Sequence, residues 1–80
     1  MEFNNWKVII KGKGAYEIIS DDNTLVVLEN SQHVALYLKV ENDTIKVKSL
    51  SYGNDVSFKV DTREIVVTVI DLLGEEDESN

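Results

Sequence analysis

Few residues in this chain are equipped for chemistry. It has one histidine, His33, which follows Asn30-Ser31-Gln32, and it has no cysteine. A nucleophilic triad needs a base beside a hydroxyl or thiol, and a third group that orients the base. Ser31 and Ser49 would have to supply the hydroxyl, and no elbow motif surrounds either. His33 therefore reads as a strand-end residue. A structural zinc site takes four Cys or His ligands, and this chain offers one. Asp21, Asp22 and Asn23 are oxygen ligands in sequence, but a calcium loop alternates its ligands around a central glycine and ends on a distal glutamate. That pattern is absent, so the three residues read as a turn. Carboxylate pairs are inevitable among 15 acids, and acid–base work requires two that converge in a cleft. Gly12-Lys13-Gly14 is glycine-rich but precedes no helix, so it reads as a bend or β-bulge rather than a phosphate cradle. Neither enzymatic activity nor a cofactor or metal is expected.

Two charge patterns point to binding instead. Lys7, Lys11 and Lys13 share one parity of the first strand and its bend. Lys46 and Lys48 share a face of a later strand, with Lys39 expected opposite Lys46 and Tyr37 opposite Lys48. Lysines beside an aromatic are how small β modules hold single-stranded nucleic acid. The overall charge opposes this: 8 Lys and Arg against 15 Asp and Glu give −7, which repels phosphate. The second pattern is the run Glu75, Glu76, Asp77 and Glu78. Such a tail can occupy a basic nucleic-acid groove on another protein and inhibit it, with Asp71 and Asp55 adding charge. Its plainer role is solubility. The run holds four of the net negative charges, which leaves −3 on residues 1–73.

These side chains must be positioned by strands. Apolar residues recur with a period near two and β-branched types dominate, while helical spacing is not sustained. The pattern predicts an all-β domain over 1–73, with a disordered acidic tail over 74–80. Its seven short, mainly antiparallel strands, at 6–11, 15–20, 24–29, 33–41, 44–51, 55–60 and 64–72, form a small sandwich or barrel. Asn42-Asp43 suits a two-residue turn, because both residues tolerate positive φ. It places Val40 opposite Ile45, Leu38 opposite Val47, and Lys39 opposite Lys46. The last is a like-charge pair that calls for an intervening carboxylate. A loop at Asp61-Thr62-Arg63-Glu64 places Val60 opposite Ile65, Phe58 opposite Val67, and Val56 opposite Val69. A third hairpin turns at Asp21-Asp22-Asn23, with its register open. The expected core is Trp6, Val8 and Ile10; Ile18; Leu36, Leu38 and Val40; Ile45 and Val47; Val56, Phe58 and Val60; and Ile65, Val67 and Val69.

Leu25-Val26-Val27-Leu28 and Ile65-Val66-Val67-Thr68-Val69-Ile70 do not alternate, although a strand wetted on one side should. Eighty residues leave no spare helix to cover a second apolar face. Ile9, Ile19, Val26, Val66 and Ile70 are therefore the candidate interface, covered by another copy of the chain or by a protein partner. The alternative is a tight sandwich or barrel whose end strands curl over each other. No run approaches the ~18–20 apolar residues of a membrane span, and Met1–Lys7 lacks the pattern of a signal peptide, so a cytoplasmic location is expected. Frequent Asn, Asp, Ile and Lys with scarce Arg and no Pro suit an AT-rich genome, such as that of a low-GC bacterium or its phage. The composition thus points first to a self-associating protein-interaction module. An acidic nucleic-acid mimic and a single-strand binder are the alternatives.

Overall fold

The computed structural model describes residues 1–70, and these contain strands and no helix. Eight strands form two four-stranded sheets. They are β1 (Glu2–Phe3), β2 (Trp6–Lys11), β3 (Tyr16–Asp21), β4 (Thr24–Glu29), β5 (His33–Glu41), β6 (Thr44–Leu50), β7 (Asp55–Lys59) and β8 (Glu64–Thr68). The first sheet has the order β1-β2-β8-β7 and the second is the meander β3-β4-β5-β6. Every pairing is antiparallel except β2 with β8, which runs parallel from Lys7↔Glu64 to Lys11↔Thr68. Buried side chains from both sheets (Phe3, Val8, Ile65, Val67 and Val69 from the first, Leu25, Val27, Ala35, Leu36 and Leu38 from the second) form one core. The two inner faces therefore pack on each other, with partly buried Trp6, Ile10, Ile19, Val40, Ile45, Val56 and Phe58 around the margin.

The β5–β6 hairpin has the expected register near its turn, with Val40↔Ile45, Lys39↔Lys46 and Leu38↔Val47. Its loop residues Asn42 and Asp43 have φ of 53° and 62°, the positive values a type I′ turn requires. The same device at Asn4 and Asn5 (φ 51° and 66°) creates β1, a strand that hydrophobic alternation over two residues cannot announce. That short strand inserts the fully buried Phe3 into the core.

Three core expectations fail. Val60 is 73% exposed, because the β7–β8 register is two residues from the expected one, with Phe58↔Ile65 and Val56↔Val67. The loop is then Val60-Asp61-Thr62-Arg63, closed by the Arg63 N–H donating to the Val60 carbonyl at 3.3 Å. A shift of two preserves the side-chain face, which is why Phe58, Val56, Ile65 and Val67 still point inward. Ile18 is 45% exposed, whereas Ile19 packs against the core. The hairpin is Ile18↔Val26 and Ile19↔Leu25, and a bulge at Ser20 separates these pairs from Asp21↔Thr24. Pairing with the inward Leu25 places Ile19 inside and Ile18 outside, the reverse of the expected faces. Val47 is 45% exposed on β6, an edge strand of the second sheet with a neighbour on one side only. The predicted strand 64–72 is shorter over the described residues, where β8 stops at Thr68, and Asp71 and Leu72 lie outside them. The predicted tail, 74–80, lies outside the described residues.

The sole arginine, Arg63, ties the loop before β8 to the turn before β2. Its Nε donates to the Asn5 carbonyl at 3.1 Å and its Nη2 to the Asn4 carbonyl at 3.4 Å. Its guanidinium lies 4.7 Å from the centre of the Trp6 ring, and Trp6 meets Phe58 edge-on at 5.8 Å. Truncating a buried phenylalanine costs about 3–5 kcal/mol, and a surface change away from such features stays within about 0.5 kcal/mol. Chemical denaturation is accordingly expected to show Phe3→Ala losing about 3 kcal/mol or more, and Val60→Ala almost nothing. Equal losses at the two positions would contradict this packing.

Candidate protein-interaction face

The outer face of the second sheet gathers several exposed apolar side chains. Strand pairing arranges it in rows. One row runs Ile18–Val26–Tyr37–Ser49 across β3, β4, β5 and β6. The next runs Tyr16–Leu28–Val34. Ile18 and Val34 are each 45% exposed and Tyr16 is 41% exposed, while Val26, Leu28 and Tyr37 are half-buried. The face exists because β4 is apolar on both sides. Leu25 and Val27 fill the core, which leaves Val26 and Leu28 outside. A bulge at Ala35 lets β5 bury Ala35 and Leu36 in succession and still turn Val34 outward, opposite Leu28.

A third row, Asp21–Thr24–Lys39–Lys46, borders the face on the side of the β3–β4 and β5–β6 turns. It is acidic at the β3 edge and basic at the β6 edge. Lys39 and Lys46 are directly opposed, and Glu41 supplies the carboxylate such a pair needs. Its Oε2 lies 2.9 Å from Lys48 Nζ, and its Oε1 lies 3.5 Å from Lys46 Nζ. The hydrogen bond from Lys48 is the main cause that holds the Glu41 carboxyl below the ordinary glutamate range. Partial desolvation opposes it, and the charges of Lys48 and Lys46 reinforce it.

The expected interface residues separate. Ile9 and Val66 are brought together, paired in register on the outer face of the first sheet. They form an island between the charged row Glu2–Lys7–Glu64–Lys59 and the row Lys11–Thr68–Asp55. Val26 lies on the outer face of the second sheet, Ile19 on its inner face, and Ile70 beyond the end of β8. There the Ile70 N–H donates to Asn54 Oδ1 at 2.8 Å. The residues that sequence reasoning missed are Tyr16, Ile18, Leu28 and Val34. Their signal was the even parity shared by Tyr16, Ile18, Val26 and Leu28.

The lysines do not form one stripe. Lys7 and Lys11 are on the outer face of the first sheet, Lys13 is in the β2–β3 loop, and Lys39, Lys46 and Lys48 belong to the second sheet. Tyr37 pairs with Ser49 rather than Lys48, because Lys48 is the extra residue of a bulge. Glu75, Glu76, Asp77 and Glu78, with Asp71, lie outside the described residues.

No constellation for catalysis assembles among the described residues. His33 is exposed and opposite Glu29 at the end of its hairpin. Asp21 Oδ1 accepts the Asn23 N–H at 2.8 Å and so is part of its own turn. Among the described residues, no group of three or more His, Cys, Asp or Glu side chains is placed to hold a metal ion, and no helix is long and apolar enough to cross a membrane. An open groove of about 320 Å³ is lined by Val8, Ile10, Ala15, Tyr16 and Glu17. It brings one carboxylate to an apolar wall, with Glu17 Oε2 buried and accepting no hydrogen bond among the described residues. Comparison with protein families, curated proteins and solved structures finds no match for the chain.

The Glu41 arrangement gives a pH prediction. A carboxyl lowered by a native partner contributes stability above its unfolded pKa, and that stability is lost as pH falls through the folded value. Side-chain carbon NMR should show Glu41 titrating at lower pH than an ordinary glutamate. Lys48→Met should raise its midpoint toward the ordinary value, and an unchanged midpoint would remove Lys48 as the main cause.

Proposed function

We infer that the protein is an interaction module that works by binding another polypeptide through the outer face of its second sheet. One observation carries this reading. Six apolar side chains, Tyr16, Ile18, Val26, Leu28, Val34 and Tyr37, occupy two adjacent rows of a single outer face. Scattered exposed apolar residues are normal, but a contiguous patch marks a surface that is covered in use. Two tyrosines in it fit this role, since tyrosine combines a large apolar ring with a polar tip. The outer face of the first sheet is a contrasting control from the same chain. There, Ile9 and Val66 are ringed by charges of alternating sign, the usual composition of a solvated surface. Division of the lysines between the two sheets and a loop favours this reading over a single-strand binder, which works best with a continuous cationic track.

A photo-cross-linking residue placed at Val34, and separately at Ser57 on the outer face of the first sheet, tests this in the cells from which the protein comes. Val34 is expected to give a discrete polypeptide adduct, of the chain with itself or with another protein, and Ser57 to give none. Absence of an adduct from Val34, or equal adducts from both positions, would overturn the reading.

A further inference from the structure

The interaction face is patterned differently along its two directions, and the pattern selects an occupant. Along the strands, two apolar rows give way to the charged row Asp21–Thr24–Lys39–Lys46. Across the strands, that charged row changes sign. Asp21 and Asp22 stand at the β3 edge, while Lys39, Lys46 and Lys48 with Glu41 stand toward the β6 edge. The two ends therefore carry about equal and opposite charge.

We propose that this face binds a second copy of the chain across a two-fold axis that runs along the strands. The proposal rests on the reading of this face as a docking surface and adds its occupant. Rotation by 180° about such an axis reverses strand order and leaves each row at its own level. β3 of one copy then lies over β6 of the other, and Val26 over Tyr37. The Asp21–Asp22 end meets the Lys39–Lys46 end twice, once on each side of the axis. Apolar rows meet apolar rows, and opposite charges meet at both rims, as an isologous interface requires. A two-fold axis across the strands fails one of these conditions. It sets the charged row either over Tyr16, Leu28 and Val34, where charge is desolvated without a partner, or outside the contact altogether. The face is self-complementary in one orientation, which an unrelated partner gives no reason to expect. Four strands about 4.8 Å apart and about six residues long span roughly 19 by 20 Å. That is small for a specific interface, so association is expected in the micromolar range.

Analytical ultracentrifugation of the full chain from about 5 to 500 μM tests the proposal. The wild type is expected to show a reversible monomer–dimer equilibrium. Ile18→Lys, and independently Val34→Glu, should leave a folded monomer; both positions are solvent-exposed, and circular dichroism verifies the fold. Reversal of one rim, Lys39→Glu with Lys46→Glu, sets like charges against the second copy's Asp21 and Asp22 and should weaken the dimer at least tenfold. Asp22→Lys should also weaken it. An equimolar mixture of the two proteins should dimerise better than either alone, because one rim then pairs opposite charges and the other sets negative charge against a neutral rim instead of a negative one. A wild type that is monomeric throughout overturns the second copy as occupant, and leaves the docking face to be judged by the Val34 adduct. A dimer lost with Ile18→Lys but indifferent to charge reversal overturns the strand-aligned axis. A dimer indifferent to both Ile18→Lys and Val34→Glu overturns the face itself.

Discussion

The parallel pairing of β2 with β8 is the constraint on which the rest of the molecule depends. It joins Lys7 to Glu64 and Lys11 to Thr68, strands from opposite ends of the described chain. Parallel neighbours cannot be linked by a tight turn, so everything between them must leave the first sheet and return. Here the intervening chain forms the whole second sheet before β7 re-enters. The ladder extends beyond both strand ends. The Lys7 N–H donates to the Arg63 carbonyl at 2.8 Å, and the Val69 N–H donates to the Lys11 carbonyl at 2.7 Å. Where β2 departs, the backbones are so close that a Cβ on Gly12 would lie 2.6 Å from the Val69 carbonyl oxygen. Glycine is required there by contact as well as by its φ of +153°. Arg63 secures the other end through the Asn4 and Asn5 carbonyls and the Trp6 ring. Pairing strands so far apart in sequence closes a long loop before its contacts reward it, a topology that slows folding.

How much of this was legible in the sequence follows from where its information is local. Asn42-Asp43 fixes a turn by backbone chemistry, and the alternation on both sides agrees with it. The β5–β6 register could therefore be read from the turn as far as Leu38↔Val47, and the bulge at Lys48 displaces it beyond that pair. In β7–β8 the turn chemistry is ambiguous, because Arg63 rather than glycine or asparagine takes the positive φ. The error of two residues cost Val60 its place in the core and nothing else. In β3–β4 the even-numbered apolar residues form one set, but composition does not say whether that set is inward, because Ile18 and Ile19 are equivalent and Val26 and Val27 are identical. With the register open, placing Ile18 rather than Ile19 in the core exchanges inside for outside. The pairing of β2 with β8 leaves no local trace, since either strand alone reads only as apolar. β1 is too short to have a period.

The site was legible to a similar depth. Doubly apolar strands signal that a second face is covered, and β4 does present Val26 and Leu28 outside its core residues. β8 shows the limit of that signal. Its outward Val66 meets Ile9, and charged rows enclose the pair, so a doubly apolar segment can mean a small island as well as a docking surface. Only the register tells an island from a continuous patch. The lysines show the converse. Equal parity along two strands implied one stripe, and the division into two sheets placed them on separate faces. A common parity becomes a common surface only after sheet membership is known.

The edges of the second sheet explain why a face, rather than an edge, is the surface left open. An unprotected edge strand invites another strand to pair with it. Both edges here are irregular: β3 carries a bulge at Ser20, and β6 carries one at Lys48. Each bulge breaks the regular spacing of N–H and C=O groups that an added strand would read. On β6, Lys46 and Lys48 further burden the edge with charge, and Glu41 holds both near the strand. Strand addition is therefore obstructed on both sides of the same sheet that leaves Tyr16, Ile18 and Val34 in solvent. A chain with no means of guarding against hydrophobic association would expose edge and face alike. Here bulges and charges interrupt the edges, and exposed apolar side chains lie on the face between them.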